Sequence, residues 1–437
     1  MTLREVALEH TFEPFNHTIS PFPMKDINYW HIYTGSRRIR AALCAGLLQK
    51  LLTLFVFSTQ KKGKNRHIFV NRLLENIRYA TEGLGIKHVI DKGGRIIIDL
   101  SSNVKENLLK ERVSKVIGVA NFSFGYKTSN NIDILKEAVL QYIKDRSFKS
   151  FRISTKRGYK EHPLTSMDID RVVGAHIKGA TGARVDLTHP ELNVYIEILP
   201  REAFIYTERF PGQGGLPVGV SGKVLCLISG GIDSPVAAYR IMKRGCSVIF
   251  VHFHSYPYLS KTSQEKAGDI VEILNQYQQL SRLYHIPFGE IQNEIVLNTP
   301  SKYRVVLYRR MMIRIAEAIA KKEGAAALIT GDSLGQVSSQ TLENITTIEN
   351  AASLPVLRPL IGMDKGEIIE QARNIGTYEI SIIPDQDCCQ LFIPKNPAVR
   401  TTVSEIERVE KTLDIPRLIR MGVEHGKMLT SPHEQSC

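Results

Sequence analysis

The residues best suited to chemistry lie in Ser229-Gly230-Gly231-Ile232-Asp233-Ser234. There an apolar run, Leu225-Cys226-Leu227-Ile228, breaks into a glycine turn and then into the helix-like Pro235-Val236-Ala237-Ala238-Tyr239. Strand, turn and helix N-terminus in that order offer backbone N–H groups and a positive dipole end to an anion. Two commoner phosphate loops fail on residues. A Walker A loop needs G-x-x-x-x-G-K-[ST], but the nearest Gly-Lys, Gly222-Lys223, has Pro217 at the first glycine and Val224 after the lysine. A dinucleotide fingerprint, G-x-G-x-x-G, follows no strand here. What remains is S-G-G-x-D-S, with two glycines that let N–H groups face an anion, two hydroxyl donors and an acid. Asp233 would repel phosphate unless a divalent cation stood between them, which points to ATP with Mg2+.

Such a turn needs a rigid sheet behind it, and the stretch 223–400 supplies the pattern. Its buried strands VLCLI, SVIFVHF and AAALIT alternate with amphipathic helices, as in a doubly wound parallel sheet. Residues 401–437 read as a helical tail. Upstream, PGQGGLPVG carries four glycines and two prolines, so 211–222 reads as a linker or hinge. Residues 146–210 form a further unit: the strand FKSFRISTKR, the helix MDIDRVVGAHIKGA, and two period-2 segments, ARVDLTH and NVYIEILP. Residues 56–145 read as a small α+β domain. It has a strand-like LFVFS from Leu54, a helix marked by Val70, Leu73, Leu74 and Ile77, the run IIIDL, a helical stretch over 104–116, GVANFSFGYKT, and the helix NIDILKEAVLQYIKD. Residues 1–55, broken by Pro14, Pro21 and Pro23, are unassigned.

Composition narrows the partners. At 437 residues two or three domains are expected, and 57 Lys plus Arg against 44 Asp plus Glu leave a net charge of +13, which suits a polyanion. The densest basic stretch, Lys144 to Lys160, holds seven Lys or Arg and one acid, Asp145, with Phe148, Phe151 and Tyr159 interleaved to pack inward while the charges face out. Six cysteines in so long a chain make no disulfide framework, and a reducing, cytoplasmic setting is expected. The apolar stretch over 41–57 has 17 residues interrupted by Gln49 and Lys50, short of the roughly 20 a membrane span needs. It reads as a buried helix running into a strand, and no membrane is expected.

SGGIDS after an apolar strand resembles the PP-loop of the ATP pyrophosphatases, which cleave ATP between its α and β phosphates and transiently adenylate a substrate. The longer stretches LPVGVSGKVLCLISGGIDSPVAAYRIMKRG, VHFHSYPY, LYRRMMIRIAEAIA and LITGDSLGQVSSQTLEN are similar to the tRNA 4-thiouridine synthetases, or tRNA sulfurtransferases. Upstream, KGKNR resembles the head of their ferredoxin-like domain, and FRISTKRGYK, RVDL and YIEI resemble an RNA-binding THUMP domain. The resemblance spans roughly residues 60–400. It implies an α/β chain: a ferredoxin-like α+β domain and a THUMP domain, followed by a doubly wound PP-loop domain.

It also implies roles. ATP would lie on Leu227, Ile228, Ser229, Gly230, Gly231, Ser234, His252, Phe253, Arg309, Gly331 and Gln340, and tRNA on Lys64, Arg66, Lys149, Arg152, Lys156, Arg157 and Lys160. Asp233, Lys365 and a thiol of the pair Cys388-Cys389 would be catalytic. Spacing from Lys365 favours Cys388 and the flanking LFIPKNP favours Cys389. Bland readings compete: Arg309 as a surface helix charge, His252 as a satisfied core histidine, Lys365 in an exposed pair with Asp364, and Cys226 and Cys246 as structural.

The implied reaction is adenylation of O4 of a tRNA uridine, at the eighth position, followed by displacement of AMP by persulfide sulfur from a cysteine desulfurase. The resemblance leaves open a homodimer and transfer to a ubiquitin-like sulfur carrier in thiamine synthesis. Two departures stand out. No rhodanese domain is legible, so a loop cysteine or a direct donor is expected to carry the persulfide. The approach to KGKNR, LFVFSTQ, lacks the family's Gly-Glu pair. Two other readings are a PP-loop enzyme with a different acceptor, and a non-catalytic THUMP protein with a relic ATP site. The basic patch argues against a small acceptor, and the intact loop with its paired cysteines argues against a relic.

Overall fold

The computed structural model describes residues 49–56, 65–92, 95–101, 103–385, 392 and 394–430. The chain divides into two compact units, Met1–Leu47 and Leu48–Cys437, and every described residue belongs to the second. Lys64, Cys388 and Cys389 lie outside the described residues, as does most of the unassigned stretch 1–55.

One sheet carries the N-terminal half. Its strands are β1 (Gln49–Val56), β2 (Ile86–Asp91), β3 (Arg95–Leu100), β4 (Val119–Thr128), β5 (Ser150–Arg157), β6 (Arg184–Val185), β7 (Leu192–Ile198), β8 (Ala203–Tyr206) and β9 (Phe210–Pro211). They pair in the order β2-β3-β1-β4-β8-β7-β5-β6, with β9 also on β4. Helices α1 (Arg66–Ala80) and α2 (Glu106–Lys115) bury Leu73, Ile77, Leu109 and Val113 over Ile96, Ile98 and Phe122. Helices α3 (Ile132–Ile143) and α4 (Ser166–Thr181) cover the other half with Leu135, Val139, Ile169 and Val173 over Phe151, Val194 and Ile205. Thr165 and Asp168 form a reciprocal capping box that starts α4.

Four sequence expectations change here. The first strand begins at Gln49, not Leu54, because it pairs along its length with β3 and β4. The strand β2 is not among the expected elements, since as an exposed edge strand it buries too little to show a strong apolar pattern. ARVDLTH holds only a two-residue strand: Asp186 Oδ1 accepts from the N–H groups of Thr188 and His189 and turns the chain. Helix α3, read with the residues before it, packs instead with those after it. The two halves also share one ladder, because the ten-residue β4 pairs with β1 on one edge and β8 on the other.

The linker is bonded at both ends rather than loose. Gly118 N–H donates to Gly214 O at 2.7 Å, and Leu216 N–H donates to Lys243 O at 3.0 Å. Gly215, at φ +77°, has no room for a Cβ, which would stand 2.6 Å from Lys243 O.

The second sheet runs β14-β13-β10-β11-β12-β15, built from β10 (Lys223–Leu227), β11 (Ser247–His254), β12 (Leu283–Pro287), β13 (Leu328–Ile329), β14 (Val356–Leu357) and β15 (Lys427–Leu429). All pairs are parallel except that of β12 with β15. One face is covered by α5 (Asp233–Met242) and α6 (Thr262–Asn275), the other by α7 (Gly289–Asn298), α8 (Arg304–Glu323) and α9 (Leu342–Glu349). Next come α10 (Lys365–Ile375), on the α5 face, and the short α11 (Tyr378–Ser381). The tail supplies α12 (Val403–Glu410) and α13 (Ile415–Glu424), and then adds β15 to the sheet edge, a strand absent from the helical expectation. From β10 the chain goes first to β11 on one side and later to β13 on the other. The carboxyl ends of β10 and β13 therefore flank a topological switch point, where α/β sheets bind ligands. No helix among the described residues is long and apolar enough to cross a membrane.

Candidate active site

The S-G-G-x-D-S turn sits at that switch point. Strand β10 ends at Leu227, and α5 begins at Asp233 with no side chain capping its N-terminus, so its first N–H groups face the turn without a capping acceptor. The two serines shape the loop. Ser229 N–H donates to Ser234 Oγ at 2.9 Å, the hydroxyls of Ser229 and Ser234 are 3.1 Å apart, and Gly231 N–H donates to Ser229 Oγ at 3.3 Å.

The glycines are needed for space, not for a left-handed backbone, since neither Gly230 nor Gly231 has positive φ. A Cβ on Gly230 would stand 2.8 Å from Asp385 Oδ2, and one on Gly331 would stand 2.7 Å from Ser234 N. Gly331, after β13, thus lets the two switch-point loops meet backbone to backbone.

Asp233 faces the same crevice from the first turn of α5. Lys365 Nζ donates to its Oδ1 at 2.8 Å and Gln336 Nε2 to its Oδ2 at 3.3 Å. The expected competitor for Lys365, Asp364, is otherwise engaged: it is the N-cap of α10 and forms a capping box with Glu367.

Arg309 and Gln340 converge on a residue the sequence reading did not single out, Asp332. Arg309 Nη1 at 2.7 Å and Gln340 Nε2 at 3.3 Å both donate to Asp332 Oδ1, while Thr330 Oγ1 donates to Oδ2 at 2.7 Å and Arg358 Nε lies 3.4 Å from it. Burial alone would raise the carboxyl's pKa. Arg309, the Thr330 hydroxyl and Arg358 overcome that and hold it well below the carboxylate range. Arg309 is therefore an anchored guanidinium rather than a loose surface charge. Gln340 Oε1 is buried with no partner among the described residues, an unused acceptor beside the anchored arginine.

The other expected nucleotide contacts are placed differently. His252 is buried, with Nδ1 3.0 Å from Ile228 O and Nε2 3.3 Å from Ser263 Oγ, which is the satisfied core histidine. The Phe253 ring packs edge-on to Phe288 at 5.5 Å in the opposite core. Ile228 is buried and Leu227 half-buried, and Ile228 N–H donates to Val251 O. Leu227 ends β10 and Ile228 follows it, while His252 and Phe253 lie within β11, in the ladder with β12, with their rings inside the protein.

Two residues missed in the sequence, Lys266 on α6 and Asp385, wall the loop beside Gly230. Neither stands in a recognisable motif, so only folding brings them into view. Cys226 and Cys246 are unbridged and buried, and burial pushes both thiols up, which fits the structural reading.

On the basic patch Phe151 is buried and packs edge-on to Phe148 at 6.0 Å, while Lys149, Arg152, Lys156 and Lys160 are exposed, as expected of inward aromatics and outward charges. Two of its arginines brace loops: Arg152 donates to Leu187 O at 2.9 Å, and Arg157 donates to Leu164 O at 3.1 Å. Arg66 lies apart, paired with Asp91 at 3.6 Å.

Fold and site together define a PP-loop nucleotide-binding domain carried on an α+β platform with a basic face. Family models agree along the chain: a ThiI ferredoxin-like domain over residues 60–123, a THUMP domain over 129–208, and "Thiamine biosynthesis protein (ThiI)" over 219–415. The chain is 47% identical over 369 residues to a "Probable tRNA sulfurtransferase" of Thermus thermophilus, covering 84% of this chain and 91% of the relative. It is 43% identical over 370 residues to the protein of the same name from Moorella thermoacetica, covering 84% and 94%. A solved 4-thiouridine synthetase in complex with RNA and with bound ATP superposes with a TM-score of 0.80 at 38% identity, over 87% of this chain and 99% of that one. The chain belongs to the tRNA sulfurtransferase family.

Proposed function

We propose that this protein transfers sulfur to a tRNA uridine at the expense of ATP, making 4-thiouridine at the eighth position. The observation that carries the reading is the uncapped S-G-G-x-D-S turn at the switch point, with the Asp233–Lys365 pair at its mouth. The solved 4-thiouridine synthetase similar to it holds ATP and RNA.

The residues present fit ATP. The N–H groups of the turn and the Ser229 and Ser234 hydroxyls suit its phosphates, Arg309 suits the departing pyrophosphate, and the unused Gln340 Oε1 suits an amino group. Asp233 would hold Mg2+, which supplies charge neutralisation between carboxylate and phosphate; one carboxylate with substrate phosphates is an ordinary set for that ion. Lys365 then stays close to the charge that develops. Attack by uridine O4 on the α phosphorus releases pyrophosphate and turns a poor oxygen leaving group into AMP. The outer sulfur of a persulfide anion then forms the bond to C4 as the bond from C4 to oxygen breaks and AMP leaves. A further thiol, such as that of the added cysteine, attacks the inner sulfur, so the S–S bond breaks with its electron pair left on the sulfur of 4-thiouridine and a disulfide remains on the carrier.

A thiol of Cys388-Cys389 suits the sulfur step. The pair follows Asp385 by three and four residues in the sequence, and Asp385 itself lies beside the loop glycine Gly230. The sulfur is proposed to come from a cysteine desulfurase, and the exposed Lys149, Lys156 and Lys160 to meet tRNA phosphates.

Incubation with tRNA transcript, ATP, Mg2+, cysteine and a desulfurase is expected to give near-ultraviolet-absorbing 4-thiouridine. ATP binding without product would overturn the reading. Cys388→Ser and Cys389→Ser, made singly, identify the thiol as the one whose loss abolishes product.

A further inference from the structure

Lys266 is a buried cation that neither the loop motif nor the thiol pair accounts for. It sits on the inner face of α6 and is 3% exposed. Removing an ammonium from water costs several kcal/mol unless its three donors find acceptors. Here they do: Nζ donates to Ile383 O at 2.6 Å and Ser381 O at 3.2 Å, and lies 3.3 Å from Asp385 Oδ1. All three acceptors belong to residues 381–385.

The far side of the clamp is the phosphate loop. A Cβ on Gly230 would stand 2.8 Å from Asp385 Oδ2 and 3.5 Å from Lys266 Nζ, and Ser381 Oγ donates to Gly231 O at 3.4 Å. For stability alone, apolar side chains would fill this position as well as a buried ion pair does. A lysine here does something apolar packing cannot, because it holds two carbonyls and a carboxylate in one register against two loop glycines.

We propose that Lys266 is a positioning residue of the sulfur transfer, pinning residues 381–385 to Gly230 and Gly231 so that the chain leaves toward its thiols from a fixed point on the phosphate loop. This rests on the thiol role proposed above.

In the full-length protein, Lys266→Met is expected to leave the KM for ATP within about threefold while lowering kcat for 4-thiouridine about 100-fold, the cost of an error of about 1 Å in a positioned reaction. Hydrogen exchange should quicken at 381–385 and stay slow along α6. Lys266→Arg, which keeps the charge and donors, should recover most of kcat. Should Lys266→Met not fold, Lys266→Met/Asp385→Asn, which leaves no buried charge unpaired, carries the same expectation.

An unchanged kcat in either folded variant, or a lost kcat with exchange at 381–385 unchanged, overturns the proposal. A wild-type chain that makes no 4-thiouridine overturns the functional reading instead, and exchange at 381–385 then still decides whether Lys266 holds the segment.

Discussion

Asp233 and Lys365 are 132 residues apart in the chain and 2.8 Å apart in the fold. An acid beside a phosphate loop is tolerable only if a cation balances it, and two are at hand, the lysine and the proposed metal. Asp233→Ala removes the acceptor and leaves Lys365 unpaired, and 4-thiouridine formation is expected to fall about 100-fold or more in single-turnover assays. Asp332 acts one step further back, since a single carboxylate oxygen orients both Arg309 and Gln340. Asp332→Asn is expected to raise the KM for ATP about tenfold with a smaller change in kcat, because it loosens groups that hold ground state and transition state alike. The motif residues were visible in the sequence. Asp332 has no such signal in TGDSLG, because nothing local to that stretch says that an arginine from α8 lands on it.

At the scale of elements, the nucleotide domain is tied together by buried charges that periodicity does not reveal. Arg310 and Arg314 of α8 both bond the carboxylate of Glu410 on α12, with Arg310 1% exposed. Glu410→Gln strips the charge from that cluster, and a loss of about 3–5 kcal/mol in urea unfolding is expected, the cost of a buried cation left unpaired. Between β11 and β12, His252 and His285 are register partners, with His254 alongside. Burial first, and then the neighbouring His252, hold His254 down to about 4 and His285 down to about 3, from 6.5. Below about 6.5 the unfolded chain takes up protons that the fold refuses, so stability should fall with pH toward 4, by up to about 1.4 kcal/mol per pH unit for each histidine. Thermal melts from pH 7 to 4 check this, and His285→Gln should make the decline shallower.

At the largest scale, a nine-stranded sheet and a six-stranded sheet among the described residues are joined by a linker bonded to both. The charge excess of the chain is displayed on the first, where Lys149, Lys156 and Lys160 are exposed. Replacing the three by Ala is expected to weaken tRNA binding and to lower the slope of log K against log salt by about 2, because each phosphate that a lysine neutralises releases slightly less than one counterion. Filter binding from low to moderate salt measures it, and an unchanged slope would remove these lysines from the RNA face.

Local chemistry explains how much could be read from the chain alone. SGGIDS between an apolar run and a helix is a short-range signal, because glycine space, serine hydroxyls and a helix N-terminus lie within ten residues. The helices α1, α3 and α4 and the strands β5 and β7 announce themselves by the periodicity of their buried faces, and β10 and β11 by continuous apolar runs. Contacts of long sequence separation carry no such signature. That β4 would join two half-sheets, that Lys365 would choose Asp233 over its neighbour Asp364, and that Lys266 would lie over Gly230 all depend on which elements pack together. The sequence by itself determined the strand, glycine turn and helix start to which we assign ATP binding as a proposal. Only the tertiary structure decided which distant charges stand around that turn, because a buried charge is placed by whichever partner the packing brings within hydrogen-bond reach.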